Sequence, residues 1–440
     1  MTRADKFWLG YLTCWLVVGA GVGIKYVRDF PYIIYFVVPL SVVSSLGVVP
    51  ASYALLFIRY RSWRARSLIT GFYTVVLGMV GLAGPAYRAI HEAPAERGPY
   101  LTWAGDPKTG MTVSWTTAEP KWSLLHYGLE NSSMFSMAIQ PEATQFHHVT
   151  LNGLQPSKKY AYCVPDLGST WYAFRTAPDD PEPYAFVVYG DTRPWYGLTY
   201  HRPVLRAIAR ADRTAHYRFI INTGDIVENP GEGYGWQWNL FLKHIRPLAA
   251  TRPYLISLGN HEARGTTEYY TRYLDYGSND FWYSFDYGNV HLVFLSTQHD
   301  LAPGSEQHQW LVNDLEARPS TTAFTAVCFH KPLVTYHPKE RYKNDERRAA
   351  LLPVLMGHGV DVVFTGHAHA YEHHVLNGLH HVVTGGGGVM LWDKPTAGPE
   401  TVVTETCFHF CEVRVTQDAM TVLAHRLDGT LIEQFEIPRR

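Results

Sequence analysis

Three long uncharged runs open the chain, at residues 7–24, 30–58 and 67–87. A helix rises about 1.5 Å per residue, so each is long enough to cross a hydrocarbon core of roughly 30 Å. The middle run carries Pro31, Pro39 and Pro50, which predicts one kinked helix or two short pieces. From residue 100 to 176 the pattern changes to short alternating segments at 111–115, 148–151, 159–164 and 171–175, separated by Gly, Pro and Asn-Gly turns. That spacing predicts a small β-sandwich. Beyond residue 184, apolar runs of strand length at 185–189, 218–222, 254–258, 323–329, 360–365 and 381–384 alternate with helical stretches at 201–211, 306–316 and 347–357. Buried strands alternating with helices predict an α/β sheet covered on both faces. Segments 91–99 and 178–183 read as linkers. The chain is therefore multi-domain, with a helical anchor at 1–90, a β domain at 97–178 and an α/β domain at 183–440 that includes C-terminal strands.

Charge sharpens the first boundary. The whole chain has a formal net charge of −1. Residues 1–88 hold nine Lys/Arg and two acids, a net of +7, which leaves −8 for the remainder. Arg59, Arg61, Arg64 and Arg66 crowd one short loop, the strongest cytoplasmic signal under the positive-inside rule, against Lys25 and Arg28 in the opposite loop. The expected product is an integral membrane protein with about three spans. Its N-terminus is cytoplasmic and everything after Tyr87 lies on the periplasmic or extracellular side. No span contains an ionisable residue, so the segment reads as a lipid-embedded tether rather than an ion path. Near-zero net charge argues against a nucleic-acid partner. Cys163, Cys328, Cys407 and Cys411 lie outside the spans and are expected to be free thiols.

The chemistry sits at the predicted strand ends. They carry Gly190-Asp191, Gly224-Asp225, Gly259-Asn260-His261, His330, Gly366-His367-Ala368-His369 and then the four-glycine run from Gly385 to Gly388. In open α/β sheets ligands bind beyond the carboxyl ends of the strands. Any one of these residues alone is weak, since a lone histidine more often satisfies a structural hydrogen bond. Their ordered recurrence at five strand ends collects two carboxylates, one carboxamide and three imidazoles. Mixed O and N donors suit Fe, Mn or Zn rather than a soft thiolate-bound metal.

The motif series GDTR at 190–193, GDIVE at 224–228, GNHE at 259–262, FHKP at 329–332 and GHAH at 366–369 resembles the calcineurin-like metallophosphoesterase superfamily. The β domain before it, with Val113-Ser114-Trp115 and His148-Val149-Thr150-Leu151, resembles the N-terminal domain of purple acid phosphatases. Leu154-Gln155-Pro156 followed by Tyr160 resembles the tyrosine corner of fibronectin type III domains. The resemblance spans about residues 97–395 and implies a four-layer αββα sandwich. It also implies a centre of two metal ions. Asp225 bridges them, Asp191 and His369 serve the first, and Asn260, His330 and His367 serve the second. Such a pair polarises a phosphoester and lowers the pKa of a bound water toward neutrality. His261 is implied as a proton donor or orienting group near the phosphate. His337 is a second candidate for that role, and Arg193 a candidate for gripping a substrate phosphate in two-pronged fashion.

Two positions depart from the pattern. Purple acid phosphatases carry a metal-binding tyrosine three residues after the bridging aspartate, and here that position is Glu228. Many superfamily members have histidine two residues after the first aspartate, and here that position is Arg193. The first metal thus lacks an obvious fourth ligand, for which Glu228, Asn229 and His201 are candidates. The expected protein is a membrane-anchored metal phosphohydrolase without the purple colour of a tyrosinate complex. Phosphodiester or pyrophosphate cleavage on lipid-linked or nucleotide substrates is the alternative within enzymes. A metal-bearing adhesion module without turnover is the alternative outside them.

Overall fold

The computed structural model describes residues 95–194, 199–277, 279–340 and 345–440. The anchor expected at 1–90 lies outside them, and no helix among the described residues is long and apolar enough to cross a membrane. The β domain consists of β1 (Arg97–Thr102), β2 (Met111–Leu129), β3 (Ser136–Leu151), β4 (Lys159–Cys163) and β5 (Trp171–Arg175). All four alternating segments mark strands. The strands are hydrogen-bonded as one antiparallel sheet, ordered β1-β2-β4-β5 with β3 also on β2. The cause is the length of β2, whose first part pairs with β1 and whose end pairs with β4 while β3 follows both parts. Its register shifts between Thr116 and Ser123, where Pro120 has no N–H to give the ladder. The tyrosine corner is present: the Gln155 N–H donates to the Tyr160 hydroxyl at 2.8 Å.

The second domain runs β6 (Tyr184–Tyr189), α1 (His201–Ala215), β7 (Ile220–Asn222), α2 (Gly235–Ala249), β8 (Tyr254–Ile256), α3 (Glu268–Tyr273), β9 (Tyr283–Tyr287), β10 (Val290–Phe294), α4 (Glu306–Ala317), β11 (Phe324–Cys328), α5 (Asp345–Gly357) and β12 (Val362–Thr365). It closes with β13 (Tyr371–Leu376), β14 (Leu379–Thr384), β15 (Thr401–Glu405), β16 (His409–Val415), β17 (Ala419–Arg426) and β18 (Leu431–Pro438). Two sheets result, ordered β18-β17-β16-β6-β7-β8 and β15-β13-β14-β12-β11-β10-β9. Strand alternation explains why there are two apolar layers. Leu292, Phe294, Ala326, Cys328, Val362 and Phe364 join the cluster that also holds Val187, Val188, Ile221 and Val413 of the other sheet. Their sequence neighbours Val293, Val327 and Val363 point the other way and join Leu311 and Leu315 of α4 and Leu351 and Leu355 of α5. Each such side chain contributes roughly 1.5–3 kcal/mol by leaving water. α1 buries Val204, Leu205, Ala207 and Ile208 at helical spacing, and α4 is capped by Ser305, whose hydroxyl accepts the His308 N–H.

The β domain is tied to this frame rather than strung beside it. The Tyr162 hydroxyl donates to the Ala250 carbonyl at 2.7 Å and the Thr102 hydroxyl to the Asp275 carbonyl at 2.9 Å. Trp103 stacks into the shared core, 4.9 Å from the Phe285 ring. All four cysteines among the described residues are free.

One buried ion pair outside the candidate centre makes stability depend on pH. His291 on β10 is flanked by Asp286 at 2.9 Å on one ring nitrogen and Asp314 of α4 at 3.0 Å on the other. Burial alone would push the imidazole down, but the two carboxylates raise it to about 9. A folded value above the ordinary 6.5 means the stabilisation is complete below about pH 6.5 and is lost as pH climbs through 9. We expect urea unfolding to show on the order of 3 kcal/mol less stability at pH 10 than at pH 6 from this group. His291→Gln should flatten that slope, and an unchanged slope in the variant would assign it elsewhere.

Candidate metal centre

The parallel strands of both sheets deliver their carboxyl ends to one place. Asp191 follows β6, Asp225 follows β7, Asn260 follows β8, His330 follows β11, and His367 and His369 follow β12. Asp191, Asp225 and His367 all adopt left-handed backbone, at φ 60°, 58° and 69°. Such conformations cost non-glycine residues about 1–3 kcal/mol and persist only where surrounding bonds over-determine them. Here they do: the Asp191 N–H donates to the Gly224 carbonyl, the Thr192 and Arg193 N–H groups to the Asp225 carbonyl, and the His367 N–H to Asp191 Oδ2 at 2.8 Å. The preceding glycines permit the approach. A Cβ on Gly190 would lie 1.9 Å from Thr223 Oγ1, and one on Gly366 2.3 Å from Asp191 Oδ2.

Donors from Asp225, His330 and His367 lie within 4.8 Å of one another. His330 gives Nδ1–H to the Thr223 carbonyl at 2.9 Å, which leaves Nε2 bare, 3.2 Å from Asp225 Oδ1 and 3.1 Å from Asn260 Oδ1. On the other side, His369 gives Nδ1–H to the Met390 carbonyl at 2.8 Å and turns Nε2 toward Asp191 Oδ1 at 3.7 Å. That Asp191 oxygen is buried and has no hydrogen-bond partner. A bare imidazole nitrogen beside an orphaned carboxylate oxygen suits a cation, so both halves of the donor set fit metal ions. His367 and His369 thus face different halves of the centre despite being two residues apart.

Electrostatics prepare the same result. Burial first, and then nearby positive groups, hold His330 and His369 down to about 3, so both are neutral ligands. Asp191 is pushed up by burial and by Asp225, while Asp225 is held below the usual carboxylate range because His330, His261 and Arg193 outweigh its burial.

The remaining candidates fall as follows. His261 donates its backbone N–H to Asp225 Oδ1 at 3.0 Å and pairs Nδ1 with the Glu228 carbonyl at 2.9 Å, leaving Nε2 at the centre. Its imidazole is lowered to about 4 by burial, against the pull of Asp225. His337 is buried, with Nε2 unpartnered and its ring 4.6 Å from Trp392. Arg193 is not turned outward: its Nε lies 3.3 Å from Asp225 Oδ2 and its Nη1 pairs with Glu228. Glu228 is further engaged by Arg264. Two candidates for a fourth ligand are engaged elsewhere. His201 is held at 3.0 Å by the Tyr189 hydroxyl and stacks on Phe241, and Asn229 accepts from Arg264 at 3.2 Å. The four-glycine run is a close-packing device. A Cβ on Gly385 would lie 2.0 Å from the Ala368 carbonyl oxygen, and one on Gly387 2.1 Å from that of Gly190.

Two residues escaped sequence reasoning. Glu262, the last letter of GNHE, is fully buried and accepts N–H bonds from Asp225, Ile226, Val227 and Gly259 at 2.7–3.0 Å. Trp392 walls the centre, its ring 4.6 Å from both His337 and His369 with the Lys339 ammonium 5.0 Å away. The GNHE motif offered a signal for the first, whereas no local pattern marks the second.

Comparison with known proteins agrees with this geometry. The family model for "Purple acid Phosphatase, N-terminal domain" matches residues 97–176, and that for "Calcineurin-like phosphoesterase" matches residues 163–371. Purple acid phosphatase 18 of Arabidopsis thaliana is 28% identical over 311 residues, covering 66% of this chain and 68% of that protein. Human Acid phosphatase type 7 is 26% identical over 394 residues, covering 81% and 86%. The structure of a purple acid phosphatase from yellow lupin seeds superposes with a TM-score of 0.69 at 20% identity, over 79% of this chain and 75% of that one. Two family models in tandem, on a fold that gathers their donors at one sheet edge, identify a metal-dependent phosphatase that joins a purple acid phosphatase N-terminal domain to a calcineurin-like phosphoesterase domain.

Proposed function

We propose that the chain is a membrane-tethered phosphohydrolase with a two-metal centre, and that it works outside the cytoplasm on phosphoesters, lipid-linked ones among them. The observation that carries the catalytic part is the division of Asp225. Its Oδ1 faces His330 and the His261 N–H, its Oδ2 faces Arg193, and its charge acts on Asp191 and His369 as well as on His330, which supports a carboxylate shared by both halves of the donor set. Asp225, Asn260, His330 and His367 would hold one ion, and Asp191, His369 and the same Asp225 the other. When bound, the ions supply positive charge to phosphoryl oxygens and an acidified water. His261 is pinned through Nδ1–H and kept neutral by burial, so its Nε2 is the atom left to orient a water or accept a proton at the centre. His337 and Trp392 close one wall and Lys339 adds positive charge beside it. The tether rests on the three apolar runs and their arginine loop, with domains dividing at 1–90, 97–178 and 183–440.

A single preparation tests this reading. Carbonate-washed membranes from cells expressing the full chain are assayed on monoesters, diesters and lipid-linked phosphates, with elemental analysis of the purified protein. Activity should stay with the membranes, the protein should carry Fe, Mn or Zn, and an iron-loaded sample should lack the purple band because Glu228 replaces tyrosine. Activity released by the wash would remove the tether, and metal-free, inactive protein would remove the enzyme.

A further inference from the structure

The two halves of the centre differ in one respect that their donor lists hide: a buried guanidinium is built in beside the first. Arg193 is 7% exposed, and its backbone N–H is fixed to the Asp225 carbonyl at 2.9 Å. Its backbone is thus fixed beside Asp191, and burial with two carboxylate partners holds the guanidinium there. Nε sits 3.3 Å from Asp225 Oδ2, the guanidinium charge bears on both Asp191 and His369, and Nη1 is held by Glu228. Glu228 is steadied in turn by Arg264. On the second side, His367 Nε2 faces an anion instead, Glu340 at 3.5 Å. Asp225 Oδ1, His330 and His367 already lie within 4.8 Å, and among the described residues they are the one such three-donor group.

We propose that Arg193 acts as a resident competitor for the first metal position, so that the two sites fill unequally. The Asp225–Asn260–His330–His367 site binds its ion tightly. The Asp191–His369 site binds only where the ion displaces or tolerates the guanidinium on Asp225 Oδ2. Glu228 modulates the competition by neutralising part of the arginine charge. The physical basis is that a fixed positive charge a few ångströms from a divalent ion, in a buried setting, is screened little by solvent. The proposal rests on the two-metal reading above, and it makes Arg193 a positioning residue rather than a group that grips substrate.

The test measures metal binding without turnover. Metal-stripped full-length protein is titrated with Mn²⁺ by equilibrium dialysis, and electron paramagnetic resonance distinguishes isolated from spin-coupled ions. The wild type should take one equivalent tightly and a second at least tenfold more weakly, with an isolated-ion spectrum at one equivalent. Arg193→Gln, which removes the charge but keeps a hydrogen-bonding side chain of moderate size, should tighten the second site at least tenfold. Glu228→Gln should act in the opposite direction by leaving the guanidinium uncompensated. Opposite signs in two variants separate competition from simple loss of structure, and circular dichroism confirms that both fold. If Arg193→Gln does not fold, Arg193→Lys takes its place: losing the Nε contact to Asp225 Oδ2 should narrow the affinity gap, and an unchanged gap would overturn the proposal. Equal affinity at both sites of the wild type would overturn the proposal and leave the enzyme reading intact, as would variants that leave the affinity gap unchanged. A chain that binds no metal at all would remove both.

Discussion

Asp225→Asn is expected to lower phosphoester hydrolysis by at least about a thousandfold, some 4 kcal/mol of transition-state stabilisation, with little change in fold. The asymmetry follows from which atoms the substitution touches. The backbone bonds that shape the loop all survive: the Asp225 carbonyl still accepts from Thr192 and Arg193, and its N–H still donates to Glu262. The side chain loses its function twice. An amide presents one oxygen instead of two, and its NH₂ must face either the bare His330 Nε2 or the Arg193 guanidinium. Neither half of the centre then has the shared carboxylate on which both depend. His367→Ala should be comparable, because it removes one of the three donors already gathered within 4.8 Å. Turnover of p-nitrophenyl phosphate and of a bis-ester, read beside circular dichroism, provides the check. Activity retained by both variants would sink the proposed mechanism.

Much of this centre was legible in the sequence because its residues sit where strands end. A short apolar run followed by Gly-Asp, Gly-Asn-His, Gly-His or a histidine announces itself locally, and Asp191, Asp225, Asn260, His330, His367 and His369 all did. The tyrosine corner was legible for the same reason, donor and acceptor being five residues apart. What remained hidden required the chain to fold back on itself. The Arg193–Glu228 pair spans thirty-five residues, and the pull of Asp225 on Arg193 depends on two loops being knitted together. His201 looked available as a ligand because it follows the first motif closely, yet helix α1 turns it into the core against Tyr189 and Phe241. The extent of β2 was missed because a nineteen-residue strand interrupted by a proline reads locally as a strand, a turn and something else. Trp392 belongs to no motif, and only the turn made by the glycine run brings it onto His369.

Glu262 gives the second large effect, through the fold of the centre rather than through its chemistry. Burial and the neighbouring Asp225 push this carboxyl up to about 8, against the downward pull of the Val227, Asp225 and Ile226 N–H groups. Each oxygen accepts two N–H groups, Ile226 and Val227 on one and Asp225 and Gly259 on the other, an arrangement that suits the carboxylate and opposes that upward push. The Asp225 and Asn260 loops are thus fastened to a single side chain. Glu262→Ala would strand four buried donors. At about 1–3 kcal/mol each it should cost 4 kcal/mol or more of stability. Glu262→Gln is the sharper experiment, since it keeps size and shape. Whichever way the amide turns, its NH₂ meets two N–H groups head-on, so the loop must open even though nothing is missing. The expected result is a clear loss of stability in urea unfolding and a fall in metal affinity of roughly 10–100-fold, the range of indirect effects on metal ligands. Glu262→Asp, which retains charge but is shorter, should recover part of both. A glutamine variant with wild-type stability and metal affinity would show that the loops are held by something other than this carboxylate.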